Sequence, residues 1–317
     1  MTRRPCSRLF RPGCGQFLAL ALLLLLSGTG RAQSATQKSN VMPGAPAASD
    51  YVGSDACSTC HEDESKAFSS SPHWPTTKDT RHGAAFQGCE GCHGPGKEHV
   101  ESGGDKTKIF SFTSASHKDV NARCLTCHEN SQEHANFQRS THNLSNITCI
   151  DCHSQHHANE QVKLLKATQP QLCYTCHLEK KADFAKPFHH RVNEGLIQCS
   201  DCHNPHGGFL TQQLRSASDQ NAVCYRCHTE KAGPFVFEHV PIKTEGCTSC
   251  HVPHGSTNPR LLRVSQVNLL CLQCHTLTFN NPVPGAPTFH NQAAKYQACT
   301  MCHTQLHGSN FSEFFFK

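Results

Sequence analysis

Ten copies of Cys-x-x-Cys-His run through this chain of 317 residues and use every cysteine after Cys14. The first cysteines are Cys57, Cys89, Cys124, Cys149, Cys173, Cys199, Cys224, Cys247, Cys271 and Cys299. The second are Cys60, Cys92, Cys127, Cys152, Cys176, Cys202, Cys227, Cys250, Cys274 and Cys302. The closing histidines are His61, His93, His128, His153, His177, His203, His228, His251, His275 and His303, and the motifs are numbered 1 to 10 in that order. This spacing is the attachment signature of c-type haem. Two thiols on one helical turn add across the two vinyl groups of one porphyrin, and the adjacent histidine sits under the iron as an axial ligand. A chain so patterned is expected to hold ten covalently bound haems.

Other uses of paired cysteines fit less well. Half a zinc site needs a second cysteine or histidine pair nearby. A redox dithiol is met once, in a strand–helix–strand setting. Disulfides are the natural alternative in an oxidising compartment. None of these requires a histidine after every second cysteine.

Residues 1–32 read as a secretory leader. Arg3, Arg4, Arg8 and Arg11 precede an apolar run from Phe17 to Leu26, and Gly30 and Ala32 offer small residues for cleavage. That run is short of the roughly 20 residues a membrane helix needs, although retention as an anchor stays open. Export agrees with haem attachment outside the cytoplasmic membrane, so the location is expected to be the periplasm or beyond. The net charge of +5 comes from the leader: without its five arginines, the 29 basic residues fall into balance with the 24 acidic ones. Haem propionates add negative charge, which argues against nucleic acid as a partner.

Residues 33–50 are rich in Ala, Ser, Pro and Gly and read as a flexible linker. Residues 51–317 then form the decahaem domain. Successive first cysteines lie 23 to 35 residues apart, leaving no room for a separate globular domain and marking a quasi-linear array. Even-numbered motifs carry extra histidines, one before and one after, so the chain reads as five double-motif repeats. The fold class expected is mostly irregular with short α-helices: an elongated multihaem cytochrome c array whose core is supplied by haem. Helices are expected around Glu62–Ser69 and Gln171–Phe184. With so few residues for each haem, the polypeptide by itself lacks the apolar core to fold.

The 25 histidines set the expected chemistry. Ten close the motifs. The repeat nominates His73, His99, His142, His156, His189, His206, His239, His254, His290 and His307 as second axial ligands. His82, His117, His134, His157 and His190 are left over, and three choices are close: His73 over His82, His156 over His157 and His189 over His190. Iron closed by two imidazoles has no open position, whereas a haem enzyme needs one. Electron transfer is therefore expected, with no catalytic residue.

The segments Cys199–Gly208 (CSDCHNPHGG), Cys224–Cys250, His251–Ser256 (HVPHGS) and Cys299–Asn310 (CTMCHTQLHGSN) resemble the MtrA/DmsE family of decahaem cytochromes. The resemblance runs from about Ser54 to Asn310 and is looser before Cys124. It implies a wire of bis-histidine haems lodged in an outer-membrane β-barrel porin. Such a wire takes electrons from periplasmic or inner-membrane donors and passes them to a surface multihaem cytochrome, a surface reductase or an extracellular acceptor. The competing functions are a soluble periplasmic carrier feeding a reductase and an enzyme reducing nitrite, hydroxylamine or a sulfur oxyanion. The tail Phe311–Lys317 (FSEFFFK) is either a docking patch or a terminal segment packed on the last haem.

Overall fold

Each motif folds as one helical turn. The histidine N–H donates to the first cysteine's carbonyl at 2.9–3.0 Å in eight motifs, and the other two lie inside the helices Gly88–His93 and His117–His128. Cysteines three apart on such a turn share a face, which is what two bonds to one porphyrin require. The computed structural model describes residues 46–216, 218–275 and 298–316. The expected leader, nearly all of the expected linker and His290 lie outside them.

Among the described residues the helices are short, the longest being His117–His128, and no strand forms. That helix starts on Ser116, whose hydroxyl accepts from the Asp119 N–H at 3.2 Å. The expected helix at Glu62 runs Glu62–Phe68. The one expected over Gln171–Phe184 is split into Gln171–Tyr174 and Leu178–Phe184, because motif 5 occupies the break. His61, His177 and His228 each act as the N-cap of the segment that follows. Motifs 4, 6 and 8 are instead followed by a loop that returns to an isolated antiparallel bridge: His153 with Leu165, His203 with Leu214 and His251 with Leu262.

Buried apolar side chains are few. Tyr174, Phe184 and Val192 form a small cluster with Ile197 packed on it, and Phe68, Val120, Phe137 and Val223 are buried elsewhere. Polar side chains hold neighbouring motifs together in their place. Asn121 and Asn221 each stand three residues before an odd motif and are 3% and 6% exposed. Asn121 Oδ1 accepts the Cys149 N–H at 2.9 Å and its amide donates to the Ile147 carbonyl. Asn221 repeats this with Cys247 at 2.8 Å and the Ile242 carbonyl. Ser54 takes the same role for Cys89 in the first repeat. Asn221→Ala would leave a buried donor and acceptor unmet, an expected loss of about 2–3 kcal/mol. A lowered denaturant midpoint at unchanged haem content is the measurement that checks it.

Candidate haem-binding sites

Nine motif histidines face a second histidine with ring centres 5.9–6.3 Å apart. In motif order the pairs are His61 with His99, His93 with His156, His128 with His73, His153 with His206 and His177 with His142. Next come His203 with His254, His228 with His190, His251 with His307 and His275 with His239. Two imidazoles bound to opposite faces of one metal ion, each nitrogen about 2 Å from it, have ring centres about 6 Å apart. The side chains therefore fit a bis-histidine iron.

The ring nitrogens fit it too. An imidazole that donates through Nδ1 keeps the Nε2 lone pair for a metal. His93, His153, His203, His251 and His303 donate Nδ1–H to the carbonyls of Phe110, Lys163, Gln212, Arg260 and Phe314 at 2.5–3.1 Å. His99, His142 and His190 donate to Asp105, Pro205 and Pro253 at 2.6–2.9 Å. The last four acceptors of the first set precede Leu164, Gln213, Leu261 and Phe315, all at φ between 53° and 60°. A left-handed residue without glycine carries strain of the order of 1–3 kcal/mol, and such residues cluster where function demands a particular backbone turn. Burial pushes His206 and His254 down to about 4, keeping them in the neutral form that a metal binds.

The pairs reveal the logic of the chain. A block that starts at a preceding histidine and runs through an even and then an odd motif keeps one pair inside itself: His73 with His128, His142 with His177, His190 with His228, His239 with His275. Its other added histidine reaches back to the even motif of the block before: His156 to His93, His206 to His153, His254 to His203, His307 to His251. His99, which has no earlier block, meets His61. At two joints a backbone bridge locks both histidines in register, Phe188 with Ser256 and Phe237 with Ser309. A glycine follows the returning histidine, and a Cβ on Gly255 would lie 2.0 Å from the Asp183 carbonyl oxygen.

The thiols follow chain order. Within each double motif the first cysteines lie within interaction range of each other: Cys57 with Cys89, Cys124 with Cys149, Cys173 with Cys199, Cys224 with Cys247, Cys271 with Cys299. The second cysteine of the even motif then lies within electrostatic reach of the next odd motif, Cys92 of Cys124, Cys152 of Cys176, Cys202 of Cys224 and Cys250 of Cys271. The thiols therefore succeed one another from motif 1 to motif 10.

One nominated histidine stands elsewhere. His190, not His189, faces His228. His189 spends both nitrogens, Nδ1 on the Lys186 carbonyl and Nε2 on Glu194 at 3.0 Å. The Glu194 hydrogen bond holds His189 above the usual histidine range, towards the protonated form that has no lone pair to give. The register of the Phe188–Ser256 bridge decides this, since neighbouring extended residues point to opposite sides. A signal was present: Phe188-x-His190 matches Phe237-x-His239. His290, the nominee for motif 10, lies outside the described residues. The aromatic tail packs on that motif, with the Phe316 ring stacked 4.9 Å from His303. Glu133, which faces His206, and Arg215, which binds Glu133, carried no sequence signal.

A family signature described as a doubled CXXCH motif matches residues 142–182, 189–233 and 239–278. Each match opens at or beside a preceding histidine, so it has the phase of the histidine-sharing blocks. The chain is 35% identical over 268 residues to the multiheme cytochrome MtrA of Shewanella baltica, covering 81% of this chain and 79% of that protein. It is 26% identical over 225 residues to the C-type polyheme cytochrome OmcB of Geobacter sulfurreducens, covering 67% of this chain and 27% of that larger protein.

Proposed function

The chain belongs to the MtrA family of multihaem c-type cytochromes and is an electron-transfer protein, and on that premise we propose that it carries ten haems as a conduit through the outer membrane inside a β-barrel porin. Bound haem supplies one-electron chemistry at its iron. The twenty motif cysteines hold the porphyrins. The motif histidines would each hold an iron from one side of a pair, and His99, His156, His73, His206, His142, His254, His190, His307 and His239 would hold it from the other for motifs 1 to 9 in turn. His290 is proposed for motif 10.

The observation that carries the reading is the set of nine histidine pairs strung on thiols in chain order. Sites closed on both faces pass electrons without binding substrate. No described helix is long and apolar enough to cross a membrane, and the mean hydropathy is −0.51. Irregular backbone is not tolerated against lipid but is accepted when protein encloses it, and a barrel offers an apolar exterior with a polar lumen. The hydrocarbon layer is about 30 Å thick, so a single electron jump gives way to a series of short ones. Donors are periplasmic or inner-membrane carriers. The acceptor side is a surface multihaem cytochrome, a reductase or an extracellular oxidant. The chain works in the periplasm and at the outer membrane after its leader is removed.

Two measurements test this. Mass spectrometry should count ten covalent haems, and electron paramagnetic resonance should show low-spin ferric iron only. Liposomes holding a reduced internal dye, supplied with this cytochrome and a candidate porin, should oxidise the dye on addition of an impermeant external oxidant only when both proteins are present. Transfer in solution without any association with a barrel would assign the chain instead to soluble periplasmic carriage.

A further inference from the structure

We infer that Glu133, clamped by Arg215, polarises His206 and lowers the reduction potential of the motif 4 iron relative to its neighbours; this rests on His206 being that iron's second ligand. The other ligand rings with an assigned Nδ1 partner mostly donate to neutral backbone carbonyls. His206 Nδ1 is buried with no hydrogen bond of normal length. What it faces is a carboxylate: Glu133 Oε1 lies 3.6 Å away.

That carboxylate is held in place from two sides. Arg215 grips it through both terminal nitrogens, one of them 3.0 Å from Oε2. The arginine is itself fixed by the carbonyls of Ser200 and His203. Asn204 donates to the Glu133 backbone carbonyl at 3.0 Å. The His134 ring packs 4.3 Å from His206 and its Nδ1 is bonded to Ser131 Oγ, which explains one histidine left over by the repeat. His177 also has a carboxylate nearby, Glu179 at 3.7 Å, but both side chains are more than half exposed and the pair is screened. The His206 side chain is 21% exposed. At the equivalent place in the next two joints, His254 has Lys180 and Asp183 as neighbours, and His307 has Lys231 and Glu230, so the charges offset.

A carboxylate facing Nδ1 favours positive charge on the ring and makes the imidazole a stronger donor to its metal. A stronger, more anionic ligand favours the more highly charged iron and moves the potential down. Arg215 fixes the carboxylate at the right distance. The effect falls on one site in the first half of the array and sets a step in its potential profile.

The test is Glu133→Gln in the full-length holoprotein, followed by redox titration with optical and paramagnetic-resonance detection. Glutamine can still accept from Arg215, so haem count and low-spin state should stay unchanged. One component of the ten should move to more positive potential, and Glu133→Asp, which draws the charge back, should give a smaller shift in the same direction. Glu64→Gln, beside His156, should move no component as far. Ten unmoved components in either Glu133 variant would overturn the inference while leaving the ligand assignment standing. A low-spin spectrum that survives His206→Ala intact would remove the ligand assignment, and the inference with it.

Discussion

His190→Ala is expected to turn one low-spin haem of the ten into a five-coordinate, high-spin species, while His189→Ala leaves all ten low-spin. The two residues are adjacent, so any general disturbance of the loop would affect both variants. Only His190 faces His228, at 6.2 Å, with its Nδ1 turned to the Pro253 carbonyl at 2.6 Å. His189 is tied to Glu194, with Arg191 on the same carboxylate. Its loss should cost a surface contact of about 1 kcal/mol or less and no ligand. Paramagnetic resonance of the oxidised proteins decides between them. A high-spin signal from His189→Ala, with none from His190→Ala, would return the ligand role to His189 and imply that the bridge at Phe188 shifts when haem binds.

Gly255→Ala is expected to disturb two irons with a single methyl group. The added carbon would sit 2.0 Å from the Asp183 carbonyl oxygen, which belongs to backbone and cannot swing aside. The segment must therefore move, and the two residues before Gly255 carry His254, proposed for motif 6, and the Pro253 carbonyl that orients His190, proposed for motif 7. Overpacking of this kind costs about 1–3 kcal/mol or more, and two high-spin haems should accompany the lost stability. Gly195→Ala is the control. Its φ of +77° makes alanine unfavourable there by about 1 kcal/mol, yet nothing lies within 4 Å of the added carbon. It should weaken the fold slightly and leave every haem low-spin.

Much of this protein was legible because its chemistry is local. A thiol three residues from a thiol with a histidine next to it needs one helical turn and nothing else, so ten candidate attachment sites follow from spacing. Sparse strands and short helices follow from the same source: a motif turn every few dozen residues interrupts any longer element, as at Thr175–His177 between Gln171–Tyr174 and Leu178–Phe184. The periodic histidines also marked which residues could serve as second ligands, because a repeated demand leaves a repeated residue.

What composition and spacing left open was decided by contacts between repeats. Which histidine meets which motif depends on joints between residues far apart in the chain, such as His142 with the Pro205 carbonyl, 63 residues on. The choice between His189 and His190 depends on strand register at one bridge, where a shift of one residue reverses the side chain's direction. Glu133 and Arg215 are 82 residues apart and meet only because His206 returns to the preceding block. The sequence by itself pointed to the cofactor, its candidate attachment cysteines and the supply of candidate ligands, since bonded neighbours set those. Only the tertiary structure decided how histidines are paired between blocks and which pair stands beside a charge, since those depend on distances through space that the order of residues does not contain.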